Sequence, residues 1–76
     1  MEKLKKIMAR VMEVPEETIT AETSRINLET WDSFNHLALI SEVEKELGVS
    51  FTMEEVEKLS SFDHLCKLVT HKNGTP

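Results

Sequence analysis

The chain has no tyrosine, one tryptophan, two glycines, two prolines and a single cysteine, Cys66. One cysteine excludes an intramolecular disulfide and a zinc site built on several thiolates, and it suits a reducing compartment. So few glycines leave no glycine-rich turn from which an oxyanion hole could be built. No segment is long and apolar enough to span a membrane. The lysine-rich start has charges between its apolar residues and so lacks the core of a signal peptide. The expectation is a cytoplasmic protein without membrane insertion. Strands of alternating β-branched residues are missing, as are internal repeats and low-complexity runs. With 76 residues the chain suffices for one domain, so a deep cleft between two domains is excluded. A chain this short buries only about 60% of the surface that its unfolded form exposes, so most apolar residues must serve the core.

Basic residues are scarce where it matters. The formal charge is −5, and residues 13–63 hold 13 acids against Arg25, Lys45 and Lys58, whereas the first 12 residues are basic. Such an acidic stretch repels phosphate backbones, which argues against nucleic acid as a partner. It attracts basic protein surfaces, or else it is a solvated face that keeps the protein soluble.

What is present is helical periodicity. Leu4, Ile7, Met8 and Val11 repeat at the spacing of an amphipathic helix, and Val14-Pro15 ends it, giving a first helix over about residues 2–13. Residues 14–32 have no sustained period. Ile19, Ile26, Leu28 and Trp31 are spaced as anchors that pin a long loop, either a functional loop or a structural strap. Asp32 or Ser33 caps a second helix over 33–47, with His36, Ile40, Val43 and Leu47 inward, Leu39 beside them and Gly48 at its end. Thr52 and Glu55 have capping-box spacing and open a short third helix over 53–59, with Val56 and Leu59 inside. Ser60 caps a fourth helix over 61–72, with Phe62, Leu65, Cys66 and Val69 inward; residues 73–76 form a frayed tail. The expected architecture is all-α, a small four-helix bundle with a long loop between helices 1 and 2 and a short helix 3, folded as a single domain and monomeric.

Catalytic constellations are sparse. Ser33 and His36 share a helix face, but no acid is placed to orient the histidine. His64 and His71 lie about two turns apart on one helix, too far for one ion, so no metal site is expected. Cys66, on an apolar stripe, reads as a small buried hydrophobe. Two features stand apart. Ser33 is exposed at a helix start, where a phosphate attached to it would meet the positive end of the helix dipole. Phe34 points nearly opposite the inner stripe and Leu37 lies at its margin. An exposed aromatic there is either a partner contact or a side chain covered by the loop.

The run Trp31-Asp-Ser-Phe-Asn-His-Leu37, continuing through Glu42-Val-Glu-Lys-Glu-Leu-Gly48 and Phe51-Thr-Met-Glu-Glu-Val-Glu-Lys-Leu-Ser60, resembles the acyl carrier proteins. The turn Val14-Pro-Glu-Glu-Thr-Ile19 resembles the family as well, so the likeness covers nearly the whole chain. It implies a carrier and not an enzyme. A phosphopantetheinyl transferase would attach 4′-phosphopantetheine from coenzyme A to Ser33, with Asp32 completing the attachment motif. Acyl groups would then travel as thioesters on that arm, in fatty-acid-like or specialised acyl biosynthesis, among acyl-activating and acyl-transferring enzymes with basic docking surfaces. The resemblance places the acyl chain between helices 2 and 3, lined by His36, Leu39, Ile40, Phe51, Val56 and Leu59, positions that ordinary core packing would also explain.

The sequence departs from housekeeping fatty-acid carriers in two ways. Phe34 stands where leucine is usual, a substitution shared with D-alanyl carrier proteins. The first turns of helix 2 hold neutral Asn35 and Ala38 where acids are usual. The Trp31-Asp-Ser opening followed by the His36-Leu37 pair resembles carriers of specialised acyl pathways, and the departures imply docking led by Phe34 and Leu37 and steered by Glu42, Glu54 and Glu55. The alternatives are a D-alanyl or aminoacyl carrier, and an unmodified helical interaction domain.

Overall fold

The computed structural model describes residues 2–72. Four α-helices run in the order α1 (Glu2–Met12), α2 (Ser33–Leu47), α3 (Met53–Lys58) and α4 (Phe62–Lys72), with a 3₁₀ turn at Glu16–Thr18. Among the described residues there is no strand, only one antiparallel bridge between Ser24 and Ser61. The expected tail at 73–76 lies outside the described residues.

Each helix end has a local cause. α1 buries Leu4, Ile7, Met8, Ala9 and Met12, so Met12 takes the inward place that the sequence pattern assigned to Val11, which is only half-buried. The helix stops at Met12, one residue before the expected limit. Glu13 turns into the left-handed region at φ 58°, and the amide of Val14 then donates to the carbonyl of Ala9 at 3.1 Å, a Schellman-type closure. α2 starts where Asp32 accepts from the amide of Asn35 at 2.8 Å. It ends at Gly48, which has φ 67°; nothing lies within 4 Å of a Cβ built there, so glycine is needed for its backbone angle and not for space. The full capping box of Thr52 and Glu55 forms at α3. That helix ends at Lys58, leaving Leu59 as its C-terminal cap. α4 begins at Phe62 and not at 61, and its cap is Ser61, whose Oγ accepts from the amide of His64 at 3.1 Å. The expectation of Ser60 as cap was therefore one residue early. Ser61 is also paired with Ser24 in the antiparallel bridge.

The core joins the α1 residues to Leu39, Ile40 and Val43 of α2, to Phe62, Leu65 and Val69 of α4, and to Val49 and Leu59. Ile19 and Trp31 anchor the long loop as expected, with Leu28 packed against the core. Ile26 does not: it is 97% exposed. Ser24 and Asn27 bond each other's amides through their side chains, and the amide of Leu28 donates to the carbonyl of Ser24. That turn projects residue 26 outward.

α3 differs from the other helices in burying none of its own residues. It is held by fully buried Leu59, by a hydrogen bond from Nε2 of His36 to the carbonyl of Val56 at 2.7 Å, and by Lys72, whose Nζ lies 2.6 Å from Glu55 and 5.3 Å from the centroid of the Phe51 ring.

Candidate functional site

Ser33 is the first residue of α2, exposed to solvent. Asp32 accepts from the amide of Asn35 through its side chain and from the amide of His36 through its carbonyl, the latter at 2.8 Å. The amides of Ser33 and Phe34 are therefore those of the first turn that remain available to an anion. Asn35 ties the turn down further by donating from Nδ2 to the carbonyl of Thr30 at 2.8 Å. A serine hydroxyl on a capped, fixed helix start can be presented to a modifying enzyme without rearrangement.

His36 is the inward partner of this turn, 5% exposed. Trp31 Nε1–H donates to its Nδ1 at 2.9 Å, so Nδ1 is the acceptor and Nε2 carries the proton given to Val56. Both ring nitrogens are thus occupied in joining the loop, α2 and α3. A histidine held in this way is unavailable as a base for Ser33, so the pair is not a catalytic dyad.

Two adjoining cavities run from Ser33 along the α2–α3 seam. The first, of about 300 Å³, is lined by Arg25, Ser33, His36, Leu37, Val56 and Glu57. The second, of about 490 Å³, is lined by Leu37, Ile40, Glu44, Phe51, Met53, Val56 and Glu57. They share Leu37, Val56 and Glu57. Of the residues that the resemblance assigns to an acyl site, Ile40, Phe51 and Val56 line the larger cavity and His36 the smaller. Leu39 and Leu59 are fully buried and line neither. Sequence reasoning missed Arg25, Glu44, Met53 and Glu57 as lining residues. Met53 had a signal, an apolar residue directly after a helix cap. Arg25 had none, because its place depends on how the loop is folded.

Apart from Ile26 on the long loop, the large exposed apolar residues lie on α2 and α3. Phe34 is 80% exposed, Leu37 62% and Met53 79%, and Leu37 and Met53 share the wall of the larger cavity. Phe34 is not covered by the loop. The three acids expected to steer partners differ in availability. Glu42 lies 3.0 Å from Arg10 of α1, beside Glu46, which bonds the same guanidinium. Glu55 accepts from Lys72 and from the amide of Thr52, which hold its carboxyl below the usual range. Glu54 is exposed and among the described residues pairs only with Lys58, one turn away.

Outside this region, Cys66 is half-buried and burial pushes its thiol up, the opposite of an activated nucleophile. Among the described residues no group of three or more His, Cys, Asp or Glu is placed to hold a metal ion, and no helix is long and apolar enough to cross a membrane.

Comparison with known proteins gives two findings. Residues 2–69 match the family described as Phosphopantetheine attachment site. Among solved structures, the chain is similar to the holo acyl carrier protein from Geobacter metallireducens, with 30% sequence identity and a TM-score of 0.85 over 95% of this chain and 83% of that one.

Proposed function

This chain belongs to the phosphopantetheine-attachment family as an acyl carrier with a 4′-phosphopantetheine prosthetic group, and on that premise we propose that Ser33 is the residue that carries the group. The supporting observation is a solvent-exposed hydroxyl on the first residue of a capped helix, with two unpartnered amides beside it and a cavity leading away from it. These residues fit the group. In the modification, Ser33 Oγ forms a bond to the phosphorus of the pantetheine phosphate in coenzyme A. The phosphoanhydride bond breaks, 3′,5′-ADP leaves, and the hydroxyl proton passes to the transferase. Asp32 keeps the first turn formed while this occurs, and the helix start stabilises the resulting phosphodiester. When bound, the group supplies a thiol that holds acyl chains as thioesters.

The remaining roles follow from the surface. Phe34 and Leu37 present an apolar contact for the transferase and for acyl-handling enzymes, and Glu54 adds long-range attraction to basic surfaces. Ile40, Phe51 and Val56, with Leu37 and Met53, offer an apolar groove along which an acyl chain can lie. An apolar contact with neutral Asn35 and Ala38 supports partners in a specialised acyl pathway. A monomer in the cytoplasm fits a lone half-buried thiol and an exposed docking face.

The test is intact mass after incubation with coenzyme A and a phosphopantetheinyl transferase. Wild type gains one phosphopantetheine and Ser33→Ala gains none. A folded wild type that gains no mass, or a Ser33→Ala protein that still gains it, overturns the proposal.

A further inference from the structure

Ser33 follows Asp32 within the stretch that holds 13 acids against Arg25, Lys45 and Lys58. A phosphodiester on Ser33 adds another negative charge to that stretch, so a cation near it is stabilising. Lys58 is engaged by Glu54 at 2.9 Å. Arg25 is the cation that lines the same cavity as Ser33.

The backbone around Arg25 is fixed from both sides. Its amide donates to the carbonyl of Ser60 at 3.0 Å, and the amide of Phe62 donates to the carbonyl of Thr23 at 2.8 Å, which ties this part of the loop to the segment joining α3 and α4. On the other side, the mutual bonds of Ser24 and Asn27, with Asn27 Nδ2 donating to the carbonyl of Glu22 at 2.8 Å, lock the turn that contains Arg25. The side chain itself is exposed and has no hydrogen bond or ion pair among the described residues. The chain's other arginine is the opposite case, with Arg10 engaged by both Glu42 and Glu46.

We propose that Arg25 is the counter-charge for the phosphodiester on Ser33, its guanidinium donating to the phosphate oxygens and holding the root of the arm at the mouth of the α2–α3 groove. This rests on the reading of Ser33 as the attachment residue. A guanidinium suits the task because its planar fork donates to two phosphate oxygens at once. Glu57 lines the same cavity and repels the phosphate, which favours the Arg25 side. With its root held there, the arm starts alongside Leu37 and Val56, the two apolar residues shared with the larger cavity, so the groove offers it an adjoining apolar surface.

With only two arginines in the chain, the side-chain Nε–H signals can be followed one by one in ¹⁵N-labelled protein. The expected result is that conversion from the unmodified to the phosphopantetheinylated form, confirmed by intact mass, shifts the Arg25 signal and leaves that of Arg10 in place. Added salt should reverse the shift. The ³¹P signal of the modified protein should differ between wild type and Arg25→Gln at low salt and converge at high salt, with Arg25→Lys between them. Two arginine signals unmoved by modification, or ³¹P signals that agree in wild type and Arg25→Gln at low salt, overturn the proposal. Because the wild-type arginine signals are read without any substitution, a poorly folded variant does not remove the test. Failure of wild type to gain mass would instead overturn the assignment of Ser33.

Discussion

In the C-terminal half of α2, Glu42 and Glu46 both reach Arg10 on α1, and Glu44 accepts from the amide of Phe51 at 2.8 Å. In the N-terminal half, Phe34 and Leu37 stand exposed beside neutral Asn35 and Ala38. The acidic half therefore spends much of its charge within the fold, and the neutral half spends its apolar surface outside it. Net charge alone would have pointed partners to the acidic half. The paired carboxylates leave α2 with its available contact at the opposite end, next to Ser33, and leave the exposed acids to α3, at Glu54 and Glu57.

The sharpest way to break this comparison is at Leu59, which anchors α3 to the core. Leu59→Ala should cost roughly 2–5 kcal/mol, a large share of what a domain of this size has to lose. Urea unfolding checks it. A cost below about 0.5 kcal/mol, the range of an ordinary surface change, would mean that α3 is not held from below. Phe34→Ala should do the reverse, leaving stability within about 0.5 kcal/mol while slowing acyl transfer with a cognate enzyme about tenfold, the loss of a contact of about 1.4 kcal/mol. Steady-state transfer rates with the modified protein decide it, and unchanged rates with every partner would return the docking role to the acids.

The smallest effect is expected at Arg10. Hydrogen bonding from Arg10 holds the Glu46 carboxyl below its ordinary value. A depressed carboxyl contributes stability above the unfolded value, and that contribution is lost as pH falls through the folded value. Arg10→Gln should therefore lower the thermal midpoint slightly at neutral pH. The difference should shrink as the solution is acidified and as salt is added, because the pair is exposed and screened. Melting curves over pH and salt that keep a constant difference would show that Arg10 acts through packing instead.

Local chemistry was legible in the sequence. Asp32, Gly48 and the Thr52–Glu55 pair stop or start helices through bonds to residues at most four positions away, and spacing reveals such bonds. The inward stripe of α2 was readable for the same reason. Ile26 was not, because its apolar side chain suited an anchor while the Ser24–Asn27 turn carries it outward, nor was the choice of Ser61 over Ser60, two serines of equal capping chemistry. Glu42 and Glu55 carried charge in the sequence, but only the packing of α1 on α2 and of α4 on α3 revealed that it was partly neutralised. Arg25 shows the same limit, since nothing within ten residues of it on the C-terminal side except Ser33 belongs to its cavity.

The sequence by itself determined four helices, the caps at Gly48 and at Thr52–Glu55, one cysteine too few for a disulfide, and a serine at the start of α2 in a motif that resembles the acyl carriers. These depend on backbone bonds within a turn or two, and on composition. The tertiary structure alone decided which acids remain available, that Phe34, Leu37 and Met53 stay uncovered, and that Arg25, Ser33, Val56 and Glu57 meet around one cavity. Those depend on the closure of a long loop and on the seating of a helix with no buried residue of its own, and contacts between residues so far apart in the chain leave no periodic trace in it.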